Sequence, residues 1–138
     1  MNLSNTAQYA IRVVSYMARK NEGLYTAAML IDELKVSDKY LKRILTTLTR
    51  SGIVESVQGR YGGFRLKMPV QEIPLLSIVR SVENVEKYFG CVLGFEQCSD
   101  HHPCPVHENW KPLRERIFAF LSKTTMADVM ANDNILRF

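Results

Sequence analysis

One stretch of this chain, residues 90–107, contains all of its cysteines and all of its histidines. It reads GCVLGFEQCSDHHPCPVH, and its candidate ligands are Cys91, Cys98, Cys104, His101, His102 and His107. Thiolates and imidazoles bind zinc and iron–sulfur clusters, and neighbouring thiols also form disulfides. A metal centre, a disulfide and a coincidence of composition are therefore the three explanations to separate.

The spacing of the cysteines suits a group larger than a single metal ion. Most zinc sites contain a close Cys-x-x-Cys pair, whereas six residues separate Cys91 from Cys98 and five separate Cys98 from Cys104. A cluster takes four protein ligands, so three cysteines leave one position to fill. His107 follows Cys104 by three residues, and both side chains can point the same way at the start of a helix. Cysteines that bind no metal stay open as an alternative.

The expected cellular compartment and the lack of a catalytic sequence pattern help to choose among the three explanations. No stretch approaches the roughly 18 apolar residues of a membrane helix, and the N-terminus lacks the basic region and apolar run of a secretion signal. We therefore expect a cytoplasmic protein without a membrane partner, in a reducing environment that disfavours a structural disulfide. A Cys104–His107 nucleophile is conceivable, but the sequence has no oxyanion-hole or orienting-residue pattern. We predict that the chain is not an enzyme.

The basic residues are concentrated in the first half of the chain. Residues 1–67 carry eleven Lys/Arg against five Asp/Glu, whereas residues 68–138 carry seven against nine. A basic half indicates contact with a polyanion such as nucleic acid, although many solvated domains are also basic. With 138 residues and 46% hydrophobic content, the chain is long enough for one domain with a core of its own.

Three helices are predicted in this half from apolar residues at helical spacing. Thr26 and Ser37 are suitable N-caps for the second and third helices, and Gly52 ends the third. The faces expected to be buried are Ala10, Val13, Val14, Met17 and Ala18 in the first helix (Ser4 to about Lys20), Ala27, Leu30, Ile31 and Leu34 in the second, and Leu41, Ile44, Leu45 and Leu48 in the third. Two short helices joined by a tight turn predict a helix-turn-helix.

The third helix and the segment after it indicate whether the helix-turn-helix binds DNA. The face of the helix opposite its apolar residues is polar, with Lys39, Tyr40, Lys42, Arg43 and, at the far end, Arg50. A solvated helix in an ordinary bundle would look similar. Residues 53–66, however, predict two short strands joined by a glycine-rich turn, and a hairpin directly after a helix-turn-helix is a wing. Its polar residues, Gln58, Arg60 and Arg65, sit on a thin loop that can approach phosphates or the minor groove.

The second half predicts two further helices around the cysteine stretch. Pro74 opens a short apolar helix, and a long helix is expected from about Pro105 to Lys123, with Thr125–Met130 as a last turn. The long helix has an apolar stripe of Trp110, Leu113, Ile117, Phe120 and Leu121, with Phe118 beside it. Such a stripe is either core or a dimer interface. We favour a homodimer, because a DNA reader with one recognition helix gains from two-fold symmetry.

The predicted fold class is therefore mainly α with a small β-hairpin wing. Residues 1–68 are expected to form a winged helix-turn-helix that binds DNA. Residues 69–138 are expected to form the cysteine loop and the long C-terminal dimerisation helix.

Several of these segments resemble a known bacterial family. TAQYAIRVVSYMA in the first helix, VSDKYLKRILTTLTRSGIVESVQGRYGGFRL through the third helix and wing, and three cysteines before a long helix are similar to the winged-helix iron–sulfur regulators typified by IscR and NsrR. KYLKRIL together with GRYGGFRL is quite specific to that family, and TTMADVM resembles the segment after its dimer helix. The resemblance spans nearly the whole chain. It implies a homodimeric transcription regulator, a repressor, on palindromic promoter DNA.

The resemblance also implies a cluster and its ligands. Cys91, Cys98 and Cys104 match the cluster cysteines, and His107 matches the fourth ligand of the IscR-type [2Fe-2S] cluster. Gln8 stands where the nitric-oxide sensors have an acidic ligand, which favours [2Fe-2S] over [4Fe-4S]. The implied signal is iron–sulfur, redox or nitric-oxide status. The alternative is a winged-helix regulator whose cysteines form a thiol switch, bind zinc or bind no metal, and a thiol-dependent enzyme ranks below it.

The residues predicted to contact DNA are of two kinds. Some belong to the basic surface, and others are positions that the resemblance implies on the third helix, which is the recognition helix. They are Thr26, Ser37, Lys39, Tyr40, Lys42, Arg43, Arg50, Gln58 and Arg60.

Overall fold

The structure, a computed structural model, describes residues 1–20 and 23–132. Its helices are α1 (Asn5–Lys20), α2 (Ala27–Leu34), α3 (Asp38–Arg50), α4 (Leu75–Val82), α5 (His107–Lys123) and α6 (Met126–Met130), and its strands are β1 (Val54–Val57) and β2 (Gly63–Leu66). Short 3₁₀ helices lie at Val70–Glu72 and Val85–Tyr88. The predicted fold class, mainly helical with one β-hairpin, is confirmed.

The helix-turn-helix begins where the capping residues predict. The Thr26 hydroxyl accepts a hydrogen bond from the Met29 N–H at the start of α2, and the Ser37 hydroxyl accepts one from the Tyr40 N–H at the start of α3, both at 3.2 Å. Lys35 adopts a left-handed conformation with φ 53° and closes α2. The chain therefore turns within two residues, Lys35 and Val36, and α3 follows α2 almost directly.

The predicted apolar faces meet in one core. Helix α4 packs against α1, α3 and α5, and α6 packs against α1. Residues from both halves of the chain therefore share the same interior. The buried members of the predicted faces are Ala10, Val13, Val14, Met17, Leu30, Leu41, Ile44, Leu45 and Leu48, joined by Leu75, Leu76, Ile78 and Val79 of α4. Ala18, Ala27, Ile31 and Leu34, also predicted as buried, are half-buried at its edge.

The wing is tied to the helices by a third segment that sequence patterning does not predict. Strands β1 and β2 pair antiparallel, with Val54 opposite Leu66. On the other edge of β2, Tyr25 and Phe64 exchange two backbone hydrogen bonds of 2.8 Å. A Cβ at Gly63 would lie 2.7 Å from the Tyr25 carbonyl oxygen, so the close approach requires glycine at that position. The hairpin is consequently fixed to the linker that precedes α2.

The long helix starts two residues later than predicted. Val106, at φ −110° and ψ 10°, precedes α5, and its carbonyl accepts the first helical hydrogen bond, from the Trp110 N–H at 2.9 Å. The Cys104 carbonyl accepts from the His107 N–H at 3.0 Å and forms a tight turn before the helix. Cys104 therefore lies on the loop, whereas His107 is the first residue of α5.

Only part of the apolar stripe of α5 is buried in the core. Leu121 is buried, but Leu113, Phe118 and Phe120 are 51%, 44% and 57% exposed. Leu113 and Phe120, on the stripe itself, are available to a partner, whereas Phe118 lies beside the stripe and packs edge-on against Phe89 with ring centroids 5.3 Å apart. In the described ranges 1–20 and 23–132, no helix combines the length and apolarity needed to cross a membrane.

Candidate functional site

The polar face of α3 is exposed because its apolar face is committed to the core. Lys39, Lys42, Arg43 and Arg50 are all exposed along this face. Lys42 forms an ion pair of 2.9 Å with Asp38 one turn earlier. At the N-terminal end, the Ser37 hydroxyl oxygen accepts the Tyr40 N–H, which leaves its O–H free to donate. This surface has the donors and the positive charge that contacts with phosphates and base edges need.

Tyr40 has a structural role beside the predicted one. Its hydroxyl donates to the Thr6 hydroxyl at 3.1 Å, and its ring packs edge-on against Tyr9 with centroids 5.7 Å apart. Both contacts tie α3 to α1. A DNA contact by Tyr40 stays a prediction, and it would have to share this hydroxyl with Thr6.

The two arginines of the wing differ in their contacts. Arg65 pairs with Glu55, its cross-strand neighbour, whereas Arg60 is exposed at the tip, 5.5 Å from the ring centre of Tyr61. Tyr61 is 82% exposed and is not among the residues predicted from the sequence to contact DNA. The Gln58 amide donates to the Ser56 hydroxyl at 3.2 Å. Between α3 and the hairpin lies a groove of 530 Å³ lined by Lys42, Leu45, Thr46, Thr49, Arg50, Ser56 and Phe64.

Two substitutions of Ser37 separate its role as a helix cap from a role in DNA binding. Ser37→Ala should lower the free energy of unfolding by about 1 kcal/mol, whereas Ser37→Gly should lower it by only a few tenths, because glycine is a tolerated N-cap. Thermal or urea unfolding measures this difference. If the hydroxyl also donates to DNA, Ser37→Gly should weaken operator binding despite its near-normal stability. Wild-type affinity in Ser37→Gly would limit Ser37 to capping.

The predicted ligands in the cysteine loop form two pairs. The Cys91 and Cys104 sulfurs are 4.0 Å apart, and the Cys98 sulfur is 3.6 Å from Nδ1 of His107. The sequence suggests instead that His107 and Cys104 are neighbours. The three cysteines are half-buried, whereas His107 is only 2% exposed. The other two histidines, His101 and His102, are exposed.

The separations within each pair match ligands that share one metal atom. Two sulfurs on one tetrahedral metal lie about 3.8 Å apart, and a sulfur and an imidazole nitrogen about 3.6 Å apart, given metal distances of about 2.3 and 2.05 Å. Within the described parts of the chain, however, no group of three or more His, Cys, Asp or Glu side chains is arranged to hold a metal ion. The donor set therefore offers two half-sites rather than one four-ligand centre.

The second ring nitrogen of His107 contacts Asp100, a residue that was not predicted from the sequence. Nε2 of His107 is 2.8 Å from Oδ1 of Asp100, and both Asp100 oxygens accept from Nζ of Lys111 at 2.9 Å. These hydrogen bonds, that of His107 first and that of Lys111 second, lower the pKa of Asp100 to about 2. Asp100 is therefore an ionised acceptor. Metal-bound histidines usually donate their other N–H to such a carboxylate.

The ends of the loop are anchored to α5. The Trp110 indole N–H donates to the Gly90 carbonyl at 2.8 Å, and Arg114 donates to the Phe89 carbonyl at 3.4 Å. Burial opposes ionisation of Cys91, but backbone hydrogen bonds at Phe95 and Leu93 and the side-chain hydrogen bond with Cys104 outweigh it and lower the pKa of the thiol. Cys91 is accordingly more prone than an ordinary cysteine to ionise and act as a ligand.

A helix-turn-helix followed by a hairpin, with exposed basic residues on the second helix and at the hairpin tip, defines a winged-helix DNA-binding protein. The chain belongs to the Rrf2 family: the sequence profile of that family, whose description is iron-dependent transcriptional regulator, matches residues 3–132. It is therefore a transcriptional regulator, as the resemblance in the sequence implies.

Individual relatives agree with this assignment. An Aquifex aeolicus protein named as an HTH-type transcriptional regulator is 30% identical over 132 residues, 94% of this chain and 92% of that protein. IscR of Serratia proteamaculans is 29% identical over 137 residues, 99% of this chain and 83% of IscR. CymR, the global cysteine regulator of B. subtilis, has a similar structure, with a TM-score of 0.77 and 25% identity over 95% of this chain and 97% of CymR.

Proposed function

We propose that this regulator senses through a [2Fe-2S] cluster bound by Cys91, Cys98, Cys104 and His107. The supporting observation is the arrangement of the four donors in two pairs, with separations of 4.0 and 3.6 Å. A two-iron cluster has two protein ligands on each iron, and histidine can replace cysteine on one of them. Two pairs fit that cluster, whereas a mononuclear zinc site needs its ligands around one point. The cluster supplies a redox-active centre that oxidants and nitric oxide can alter.

The same proposal divides the chain by function. Residues 1–68 bind promoter DNA and residues 69–138 sense and dimerise. The apolar side chains Leu113 and Phe120 lie on the same stripe of α5, are exposed, and support a homodimer through that helix. A two-fold dimer presents two recognition helices and therefore reads a palindromic operator. The protein acts as a repressor in the cytoplasm, and its DNA contacts are those predicted at Thr26 before α2, at Ser37 and along α3, and on the wing.

Contacts along the chain suggest how the loop influences the DNA-binding surface. His107 and Trp110 of α5 hold the loop at Cys98 and Gly90. Helix α5 packs on α4, and α4 packs on α1 and α3. When the four ligands are held together, the loop is ordered against α5, and the position of α5 sets the spacing of the two recognition helices. A coupling of about 1–3 kcal/mol changes operator affinity about 5- to 150-fold.

Anaerobic preparation tests this function. We expect a brown protein with visible absorption and with iron and inorganic sulfide in equal amounts, two of each per chain. Removal of the cluster should change the affinity for operator DNA about 5- to 150-fold. Colourless protein that binds zinc, or that binds no metal after anaerobic reconstitution with iron and sulfide, would contradict the proposal.

A thiol switch is the second candidate, and the 4.0 Å separation of the Cys91 and Cys104 sulfurs favours it. In this reaction hydrogen peroxide takes two electrons and two protons from the two thiols, giving one disulfide and two waters. Two of the three thiols should then be lost on peroxide treatment of cluster-free protein, with a change in DNA affinity. Metal-free protein that responds in this way supports the switch over the cluster.

A further inference from the structure

Both ring nitrogens of His107 have a partner, and the two partners are chemically different. Nδ1 is 3.6 Å from the Cys98 sulfur, and Nε2 is 2.8 Å from Oδ1 of Asp100. A neutral imidazole has one N–H donor and one acceptor nitrogen, and a carboxylate only accepts. In the neutral ring the proton is therefore on Nε2, and the lone pair of Nδ1 faces Cys98.

Lys111 orients the carboxylate that imposes this arrangement. Lys111 lies one helical turn after His107 on α5, and its ammonium group donates to both oxygens of Asp100 at 2.9 Å. Asp100 is thus clamped between two side chains on one face of α5. Because Asp100 follows Cys98 by two residues, the same clamp brings Cys98 to Nδ1.

We propose that Asp100, oriented by Lys111, is a positioning residue that fixes the tautomer of His107 and makes Nδ1 the ligand atom. The inference rests on the proposed cluster site and adds to it the choice of nitrogen. Carboxylates that hold a ligating histidine in this way commonly change metal retention 10- to 100-fold. The competing explanation is an ordinary exposed ion pair: the Asp100 side chain is 65% exposed and that of Lys111 36% exposed. Such a pair would not affect the ring of His107.

Nitrogen-15 NMR of the histidine ring in cluster-free protein tests the tautomer directly. We expect the Nε2–H form in the wild type and in Asp100→Asn, whose amide oxygen still accepts the N–H. Asp100→Leu should populate both tautomers. Glu96→Gln, the same loss of charge at an exposed position of the same loop, is the matched control and should match the wild type. An Nδ1–H tautomer in the wild type, or an unchanged tautomer in Asp100→Leu, would overturn the proposal.

Cluster retention gives a second, independent measurement. Iron and sulfide in anaerobically reconstituted Asp100→Leu should be lost to a chelator about 10- to 100-fold more readily than in the wild type. Asp100→Asn should restore retention to near the wild-type value. In a His107→Cys background the ligand is sulfur and has no tautomer, so Asp100→Leu should have no added effect there.

The outcomes separate this inference from the proposed function. If the wild type holds the cluster and Asp100→Leu retains it equally well, the proposed role of Asp100 is overturned, but the cluster site is not. Equal damage by Asp100→Leu in the His107→Cys background shows a general effect on the loop and also overturns it. A wild type that binds no iron and sulfide overturns the cluster and the ligand assignment together.

Discussion

Cys91→Ala, Cys98→Ala and Cys104→Ala should each abolish the visible absorption of the anaerobically prepared protein, together with its iron and inorganic sulfide. Each substitution removes one member of a pair and leaves one metal position with a single protein ligand. A cluster bound through three ligands is expected to be lost on desalting, because clusters of this kind take four. Ser99→Ala, a substitution of similar size beside Cys98, should retain iron. Any single cysteine variant that keeps the wild-type cluster content would remove that residue from the ligand set.

His107→Cys has a different expected result from the cysteine variants. Thiolate can replace imidazole as a ligand, so the cluster should persist. Its reduction potential should fall by on the order of 100 mV, since histidine ligation raises the potentials of two-iron clusters. A redox titration followed by visible absorption measures the shift. His102→Ala, at an exposed histidine of the same loop, should leave the potential unchanged, and an unchanged potential in His107→Cys would show that His107 is not a ligand.

Local features were predictable because their determinants are local. The N-caps Thr26 and Ser37 and the residue Pro74 before α4 act within three residues of the helices that they start. Apolar periodicity marked the buried faces of α1 and α3, and glycines marked the wing turn. The types of the candidate ligands were also visible in the sequence, since all of them lie within 17 residues of each other, from Cys91 to His107.

The arrangement of the ligands was not predictable, because it depends on contacts across the loop. Spacing suggested Cys104 and His107 as neighbours, but the turn at Val106 leaves Cys104 on the loop and directs His107 to Cys98, nine residues earlier. Asp100 and Lys111 are 11 residues apart, and no periodic pattern links them. The only local signal for Asp100 was a carboxylate within a run of cysteines and histidines.

In the wing, too, contacts between residues that are distant in the sequence could not be predicted. Its hairpin follows from two short apolar runs around a glycine turn, but the bridge between Tyr25 and Phe64 joins residues on opposite sides of the helix-turn-helix. The need for glycine at position 63 follows only from that bridge. Sequence patterning placed Arg60 and Arg65 on the same hairpin, but it could not show that Arg65 pairs with Glu55 across the strands while Arg60 lies at the tip.

Arg43→Ala should weaken binding to the operator by about 1–3 kcal/mol and relax the preference for one base pair in each half-site. Arg43 is exposed in the middle of α3, between the cap at Ser37 and the end of the helix at Arg50. An arginine at such a position can donate two hydrogen bonds to one guanine in the major groove, and loss of that contact has this magnitude. Titrations with the operator and with single-base-pair variants measure both effects.

Arg60→Ala and Arg80→Ala distinguish a base contact from a general effect of charge. Arg60 lies at the wing tip, so its loss should weaken binding to all sequences alike and reduce the slope of log affinity against log salt by about 1. Arg80 is exposed on α4, where it lines a cavity with Phe118 of α5 rather than the α3 surface, and Arg80→Ala should leave DNA binding unchanged. If Arg43→Ala lowers affinity for every sequence equally, with the same change in salt slope as Arg60→Ala, then Arg43 contacts phosphate. If neither variant differs from Arg80→Ala, the DNA-binding surface is not formed by α3 and the wing.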